Sequence, residues 1–252
     1  MSVVLLADAP VEGVRVLTLN DPAKRNALSP ALQSGLRDAV AQVKGDRTAR
    51  ALVVTGNGPA FSAGADLPAI FGDSDRTTGQ LRDDLRGIYD SFLSVGDLEI
   101  PTIAAVQGPA VGAGVILAMS CDIRIAAPAA SFGVTFTKLG LHPGGGCTHY
   151  VVEALGRQRA LALLLAGGAV RADEALAAGM ILEIAEDPLA AAVELAGRYA
   201  ALDPSLARNI KRAVGIASHG NFEQTLEFES WAQAESAQSP QFKAAVQSFV
   251  RK

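Results

Sequence analysis

The chain has 252 residues, of which 49% are hydrophobic and 19% are charged, and its formal net charge at pH 7 is -4. A chain of this length and apolar share can bury a sizeable core, either as one large domain or as one domain with an appendage. Its lysines and arginines are scattered rather than clustered, which argues against a nucleic-acid-binding surface and leaves only a local basic rim for phosphates.

The amino-terminal residues 1–8 lack the basic segment of a secretion signal, and their apolar run is short. The longest run free of polar side chains, residues 108–119, falls well short of the ~20 residues that span a bilayer. We therefore expect a cytoplasmic protein without a membrane span. Cys121 and Cys147 lie in apolar, glycine-rich stretches without the spacing of a disulfide framework, and are predicted to be reduced, buried thiols.

The chain opens with two strand patterns, residues 3–6 and 14–19, joined by a turn that contains proline and glycine. Ser29 and Pro30 then supply a helix cap followed by proline at the first helical position. Apolar residues recur at helical spacing from there until Gly45. This part of the sequence predicts a β-hairpin followed by an amphipathic surface helix.

Strand and helix patterns alternate through the middle of the chain. Apolar runs predict strands at residues 51–55, 102–106 and 123–126, and apolar spacing predicts a helix over 81–92. Helices dominate from Gly144 onward, with predicted ranges of 144–155, 157–166, 172–178, 188–202, 204–218, 221–234 and 240–250. The alternation predicts an α/β protein with a mixed, helix-covered sheet.

Residues 107–122 are a glycine-rich stretch that follows a predicted strand and leads into small and apolar residues, with no charge before Asp122. This predicts a buried helix with an open start, whose first N–H groups have no intrahelical partner and carry the positive end of the dipole. These groups could bind a polarised oxygen. The alternative is that Gly112, Gly114 and the neighbouring alanines only allow the helix to pack tightly.

A second glycine-bearing loop, residues 56–67, follows another predicted strand and also presents backbone amides. With the motifs at residues 22–28, 105–122 and 132–148, this loop resembles the crotonase superfamily, the enoyl-CoA hydratase/isomerase-like proteins. The resemblance covers nearly the whole chain. It implies that the N–H groups of Ala65 and Ala113 form an oxyanion hole for a thioester carbonyl.

The resemblance also implies an architecture. Residues 1–198 would form a crotonase-type ββα spiral core that binds acyl-CoA. Residues 199–252 would form a C-terminal helical oligomerisation segment that builds homotrimers, which often pair into hexamers. The apolar stripe formed by Phe242, Val246 and Phe249 in the last predicted helix is consistent with such a docking surface.

The proton-transfer residues of the family are missing. On the aligned motifs Ile116 and Phe136 occupy the positions of the two glutamates that hydratases use, and neither side chain can transfer a proton. His142, in a glycine-rich loop, is the remaining acid-base candidate because its ordinary pKa of ~6.5 suits chemistry near neutrality. The alternative is a histidine bonded to backbone.

Contacts with coenzyme A are likewise implied by the resemblance. It places Lys24 and Arg25 near the phosphates, although both residues could also be an exposed pair in a turn. It assigns further substrate or CoA contacts to Ala27, Ala63, Asp66, Leu67, Gly112, Ile116 and Phe136. Pro68 departs from the family, since hydratases often carry a lysine there. Coenzyme A would be part of the ligand, with no permanently bound cofactor, and the histidine spacing predicts no metal site.

Two functions follow from these residues. One is an enoyl-CoA hydratase or isomerase of fatty-acid metabolism with an atypical acid-base group. The other is a non-catalytic fatty acyl-CoA binding or carrier protein. A pocket that brings His142 or an acid from residues 73–90 to the acyl group would favour the enzyme, whereas an apolar pocket would favour the carrier.

Overall fold

The computed structural model of the protein describes residues 2–73 and 75–250. Its main sheet has six strands in the order β1-β2-β3-β4-β6-β9. Their bounds are Val4–Asp8, Val14–Leu19, Ala51–Gly56, Thr102–Val106, Ile123–Ala126 and Glu183–Ile184. Strands β1 and β2 pair antiparallel and each later neighbour pairs parallel. The predicted hairpin and the predicted mixed sheet are confirmed.

Helices cover both faces of this sheet. Strand β4 is buried along its whole length and β3 along all but its last residue, as is usual for parallel strands packed on two sides. One face packs on α7, Pro188–Ala200, through Ala192, Leu195 and Ala196. The other face packs in the larger core cluster with α1, Pro30–Gly45, and α4, Ala113–Ser120.

Two helix starts show how local sequence sets the elements. The Ser29 hydroxyl accepts a hydrogen bond from the Leu32 N–H, with proline at the first helical position, and α1 ends at Gly45 as predicted. Helix α3, Thr78–Leu93, starts at a capping box in which Thr77 and Gln80 bond each other's backbone N–H groups. The predicted helix over 81–92 therefore lies within a helix that begins earlier.

Four short strands escaped the sequence analysis. Strand β5 is Ala110–Val111, β7 is Ser131–Gly133 and β8 is Ala169–Arg171, and these three form a second sheet in the order β5-β7-β8. The fourth is β9, Glu183–Ile184, at the edge of the main sheet. Runs of two or three residues carry no periodic signal, because alternation is recognisable only over about four to eight residues.

The carboxyl-terminal half is largely helical, as predicted. Helix α5 bends at Gly156, whose φ of 72° is not helical, so the two predicted segments form one kinked helix. The later helices expose large apolar side chains, including Phe222 and Trp231 at 78% and 72% exposure. The helices of this half are α5, Cys147–Ala166; α6, Ala172–Ala177; α7; α8, Pro204–His219; α9, Phe222–Ser236; and α10, Pro240–Val250.

Lys211 is one of the residues that attach helix α8 to the core. The Lys211 ammonium lies 2.8 Å from Asp122 Oδ2 and donates to the Ile100 carbonyl at 3.0 Å. Asp122 Oδ2 also accepts from the backbone N–H and the hydroxyl of Thr102. Asp122 therefore ties α8 to the start of β4.

Both cysteines are buried and free, as predicted. Burial raises the pKa of the Cys121 thiol to about 12 and that of Cys147 to about 11. In residues 2–73 and 75–250, none of the helices combines the length and the apolar character that a membrane crossing requires. The apolar stripe of α10 is exposed at Phe242 and Val246, whereas the Phe249 side chain lies outside the described residues.

Candidate functional site

The two glycine-bearing loops meet at a cavity of about 310 Å³. It is enclosed by a short helix, α2, Leu67–Phe71, by α3 and α4, and by a 3-10 helix, Thr135–Leu139, with the loop that follows it. Most of its lining is apolar. Its volume is at the lower end of the range for small-molecule sites, about 300–1,000 Å³.

The first wall of this cavity is made of backbone amides. Ala113 is the first residue of α4, and Gly112 before it adopts a φ of 51°. Gly64 has a φ of 90°, and a Cβ at Gly64 would clash with the Val111 carbonyl and lie 3.4 Å from the Ala113 nitrogen. The backbone beside Ala65 therefore approaches the Ala113 amide more closely than a side chain would permit.

The N–H groups of Ala65 and Ala113 remain open at this wall. Among residues 2–73 and 75–250, neither group donates to a protein acceptor. The neighbouring amides are occupied: Gly64 N–H bonds the Ser62 hydroxyl, and Gly112 N–H bonds the Gly133 carbonyl at 2.8 Å. Two open donors at one cavity are the arrangement that can bind a single polarised oxygen.

Asn26 fixes the first loop in place. It is fully buried in a left-handed conformation, and its amide Nδ2 donates to the Asn57 and Ala60 carbonyls at 3.0 and 2.9 Å. The Ser62 hydroxyl donates to the Asn26 carbonyl at 2.8 Å. Gln107 adds a bond to the Ala60 carbonyl. The sequence did not indicate the positioning role of these side chains, because short polar residues in loops give no periodic signal.

The second wall is apolar at Ile116 and Phe136, the two positions that the resemblance was expected to align with glutamates. Ile116 is buried, and its Cδ1 lies 3.2 Å from where Gly145 would carry a Cβ. The Phe136 ring lies 3.7 Å from the equivalent point of Gly112, at the entry to α4. Within the described residues, no carboxylate lines the cavity. The cavity therefore lacks the pair of acids that two-carboxylate hydration requires.

The acids at residues 73–90 lie elsewhere. Asp73, Asp83, Asp84 and Asp90 are exposed, and the Asp84 carboxylate lies 2.9 Å from the Arg76 guanidinium. They form a solvated surface, which is the more common fate of such residues.

Two titratable side chains line the cavity. His142 is exposed, and its Nδ1 lies 2.7 Å from the Pro143 carbonyl, so this nitrogen carries a proton and donates it. In neutral imidazole the lone pair is then on Nε2. The second is Tyr89 of α3, which the sequence analysis missed. Burial raises the pKa of the Tyr89 phenol above 10.0, partly offset by its contact with the Gly145 N–H.

The residues assigned to coenzyme A by resemblance fall into two groups. The cavity lining includes Ala63, Leu67, Gly112, Ile116 and Phe136, together with Ala65, Ala113 and His142. It does not include the other four. Lys24 and Arg25 are exposed, Ala27 is half-buried, and Asp66 caps α2 by accepting from the Ala69 N–H. Arg25 still touches the site, because its carbonyl accepts from the Ala63 N–H at 2.8 Å.

Two other features lie apart from this cavity. A larger cleft of about 560 Å³ lies between the end of α1 and the start of α8, and its lining includes several charged side chains, of which Arg208 and Glu99 lie 3.5 Å apart. His149 and His219 approach to 3.5 Å between Nε2 atoms. No group of three or more metal-ligand side chains occurs in the described parts of the chain.

Comparison with known proteins gives a consistent result. Residues 10–252 match a family model described as enoyl-CoA hydratase/isomerase. The Mycobacterium tuberculosis protein named probable enoyl-CoA hydratase EchA14 is 44% identical, over 92% of this chain and 91% of its own length. The Escherichia coli 1,2-epoxyphenylacetyl-CoA isomerase is 34% identical, over 96% and 93%. The crystal structure of an enoyl-CoA hydratase from Bacillus anthracis superposes with a TM-score of 0.89 at 29% identity, over 99% of this chain and 96% of that one.

Proposed function

The chain belongs to the enoyl-CoA hydratase/isomerase family and has the crotonase fold, and from this premise we propose that it binds acyl-CoA thioesters without hydrating them by the two-carboxylate route. One observation carries the proposal: the open N–H groups of Ala65 and Ala113 lie at a cavity that Ile116 and Phe136 also line.

The amide wall would hold the thioester carbonyl. Two N–H donors on one oxygen stabilise the negative charge that the carbonyl gains when its α-carbon becomes enolate-like, and loss of one such donor typically costs about a hundredfold to a thousandfold in rate. The acyl chain would lie against the apolar wall. Lys24 and Arg25 would meet the phosphates of coenzyme A, with Ala27, Ala63, Asp66 and Leu67 beside its adenine and pantetheine.

The composition of the second wall favours a carrier of fatty acyl-CoA. Hydration needs one group to activate water and another to protonate the α-carbon. Isoleucine and phenylalanine do neither. The double bond of a bound enoyl thioester would therefore not be hydrated.

One observation favours an enzyme as the second candidate. His142 lines the same cavity, and its Nδ1–H is held by the Pro143 carbonyl, which leaves Nε2 as a base. Such a base could take a proton from the α-carbon of a 3-enoyl thioester and return it at the γ-carbon, which moves the double bond to the α,β position, with the two amides holding the enolate between the steps. This is an isomerisation, in which the composition of the substrate does not change.

The test is a paired measurement on the purified protein. Calorimetric titration with octanoyl-CoA measures binding, and the loss of ultraviolet absorbance of octenoyl-CoA measures hydration, with chromatography of the products to detect a shifted double bond. We expect binding without hydration. Isomerisation that His142→Ala abolishes would establish the second candidate, and absence of binding would overturn the thioester assignment.

The exposed apolar side chains of α8–α10 support a further part of the proposal, which is assembly into a homotrimer or a dimer of trimers through residues 199–252. Sedimentation of the full chain tests it, because a monomer at micromolar concentration would contradict it. The division into residues 1–198 and 199–252 and the cytoplasmic location stay predictions from the sequence.

A further inference from the structure

Two side chains of α3, Leu85 and Tyr89, separate the candidate site from a second cavity. Both residues line the 310 Å³ cavity that contains the open amides. Both also line a neighbouring cavity of about 450 Å³, whose other sides are the apolar or small residues Leu93, Gly145 and Gly146 and the charged residues Arg82, Arg86 and Asp90. The two cavities are therefore adjacent, and Leu85 and Tyr89 are the residues that line both of them.

Tyr89 is held firmly in this partition. Its ring packs on Phe92 with centroids 6.0 Å apart, and Phe92 is completely buried. Its hydroxyl lies against the backbone of Gly144, where a Cβ would clash with it, and meets the N–H of Gly145. Contacts at both ends of the side chain leave the phenol little freedom to swing aside.

We propose that Tyr89, together with Leu85, closes the acyl end of the site and so sets the longest acyl chain that the protein accommodates. This inference rests on the proposed binding of acyl-CoA, and it assigns to Tyr89 a role in specificity rather than in catalysis. Removal of the ring would join the two cavities, which offer about 310 and 450 Å³, into one channel.

The partition predicts a particular dependence of affinity on chain length. Each methylene buried in an apolar site contributes about 0.8 kcal/mol, which is about fourfold in affinity. Affinity should therefore rise with chain length until the chain reaches Tyr89 and then stop rising. Beyond the partition, the apolar side chains of Leu85 and Leu93 could cover additional methylenes if the ring were absent.

The experiment is calorimetric titration of the wild-type chain and Tyr89→Ala with butanoyl-, octanoyl- and hexadecanoyl-CoA, each below its micelle concentration. For the wild type we expect hexadecanoyl-CoA to bind no more tightly than octanoyl-CoA. For Tyr89→Ala we expect hexadecanoyl-CoA to gain about tenfold or more over octanoyl-CoA, since two or more additional methylenes become buried. Equal chain-length profiles in the two proteins would overturn the inference.

Matched variants distinguish the effect of the partition from other effects of substitution. Tyr89→Phe keeps the ring without the hydroxyl. Its affinity should stop rising at the same acyl chain length as that of the wild type. Asp83→Ala changes an exposed residue of the same helix outside both cavities and controls for α3 itself. If Tyr89→Ala fails to fold, as judged by circular dichroism, Leu85→Ala thins the same partition and should extend the profile in the same direction.

Butanoyl-CoA distinguishes the two proposals from each other. It is short enough to bind without reaching the partition, so its binding to both proteins tests the thioester site alone. Failure of both proteins to bind any of the three ligands would overturn the proposed function and this inference with it. Binding of butanoyl-CoA with unchanged profiles would overturn only the role of Tyr89.

Discussion

The two walls of the candidate site differ in the chemical groups that form them. The amide wall uses backbone N–H groups of Ala65 and Ala113, and it depends on glycine conformations and buried hydrogen bonds. The second wall uses the side chains of Ile116 and Phe136 on a helix and a 3-10 helix. A backbone wall retains its chemistry under most substitutions of its own residues, whereas a side-chain wall changes chemistry with one residue.

This difference would explain how the proposed oxyanion wall can stand beside isoleucine and phenylalanine at positions 116 and 136. The N–H groups are positioned by Gly64, Gly112 and the amide of Asn26, none of which is a proton-transfer group. The apolar replacements pack into the same core as their neighbours. The fold therefore tolerates loss of the acids at no evident cost in packing.

The largest effect should come from a change that breaks the amide wall. Gly64→Ala would force a Cβ into the Val111 carbonyl at a φ of 90°, and strain of this kind costs about 1–3 kcal/mol. We expect up to about a hundredfold loss of octanoyl-CoA affinity by calorimetry, because the backbone must shift and the carbonyl loses two hydrogen bonds that are each worth about 0.5–1.5 kcal/mol. Gly45→Ala, at an exposed position with open space around it, is the matched control. Unchanged affinity in a folded Gly64→Ala protein would contradict the convergence of the two loops.

The next effect should come from making the second wall polar. We expect Ile116→Glu with Phe136→Glu to raise the hydration of crotonyl-CoA about tenfold or more, since each positioned proton-transfer group is generally worth ~10²–10⁴-fold in rate. The double change would also cost stability, at about 1.5–3 kcal/mol for each fully buried apolar side chain. The pair Ile116→Gln with Phe136→Gln is the control of similar size. No gain of the glutamate variant over it, with octanoyl-CoA still bound, would count against the aligned positions.

A smaller effect should follow from removing the support of the amide wall. Asn26→Ala would remove a donor from the buried Ala60 and Phe61 carbonyls, which costs about 1–3 kcal/mol. We expect a lower free energy of unfolding in urea and about tenfold weaker octanoyl-CoA binding. Asn57→Ala, which removes only an exposed side-chain bond to Asn20, should change both quantities much less. Equal effects of the two variants would refute the positioning role.

The smallest effect concerns the exclusion of water from the core behind the second wall, where Cys147 begins α5. The raised pKa values of Cys147 and Cys121, about 11 and about 12, lie above the value of 9.0 for an exposed thiol. Their contribution to stability is therefore fully present below pH 9.0 and lost as the pH rises through 11 to 12. At about pH 8 we expect a thiol reagent to label neither cysteine in the native chain and both in denaturant. If the native protein is labelled and Cys147→Ala is not, water reaches Cys147 behind this wall.

Sequence reasoning succeeded where the signal was local. The Ser29 cap, the buried helix after Gly112 and the strands at residues 51–55, 102–106 and 123–126 all follow from residue patterns shorter than twenty residues. It failed where contacts join distant segments. Tyr89 lies in an ordinary amphipathic helix, and nothing in that pattern indicates that its hydroxyl meets Gly144 or that its ring divides two cavities. Asn26 was likewise only one residue of a motif, and the sequence did not indicate that its amide would donate to three backbone carbonyls.

The sequence by itself determined the family, the order of the main elements and the absence of glutamate at positions 116 and 136, because these depend on residue identity and local spacing. The tertiary structure decided which groups share the cavity. It brought Tyr89 and His142 to the pocket and left the acids of residues 73–90 in solvent. The physical reason is that a site is defined by the packing of segments far apart in the chain, and that packing depends on the shape of the whole core rather than on any one segment.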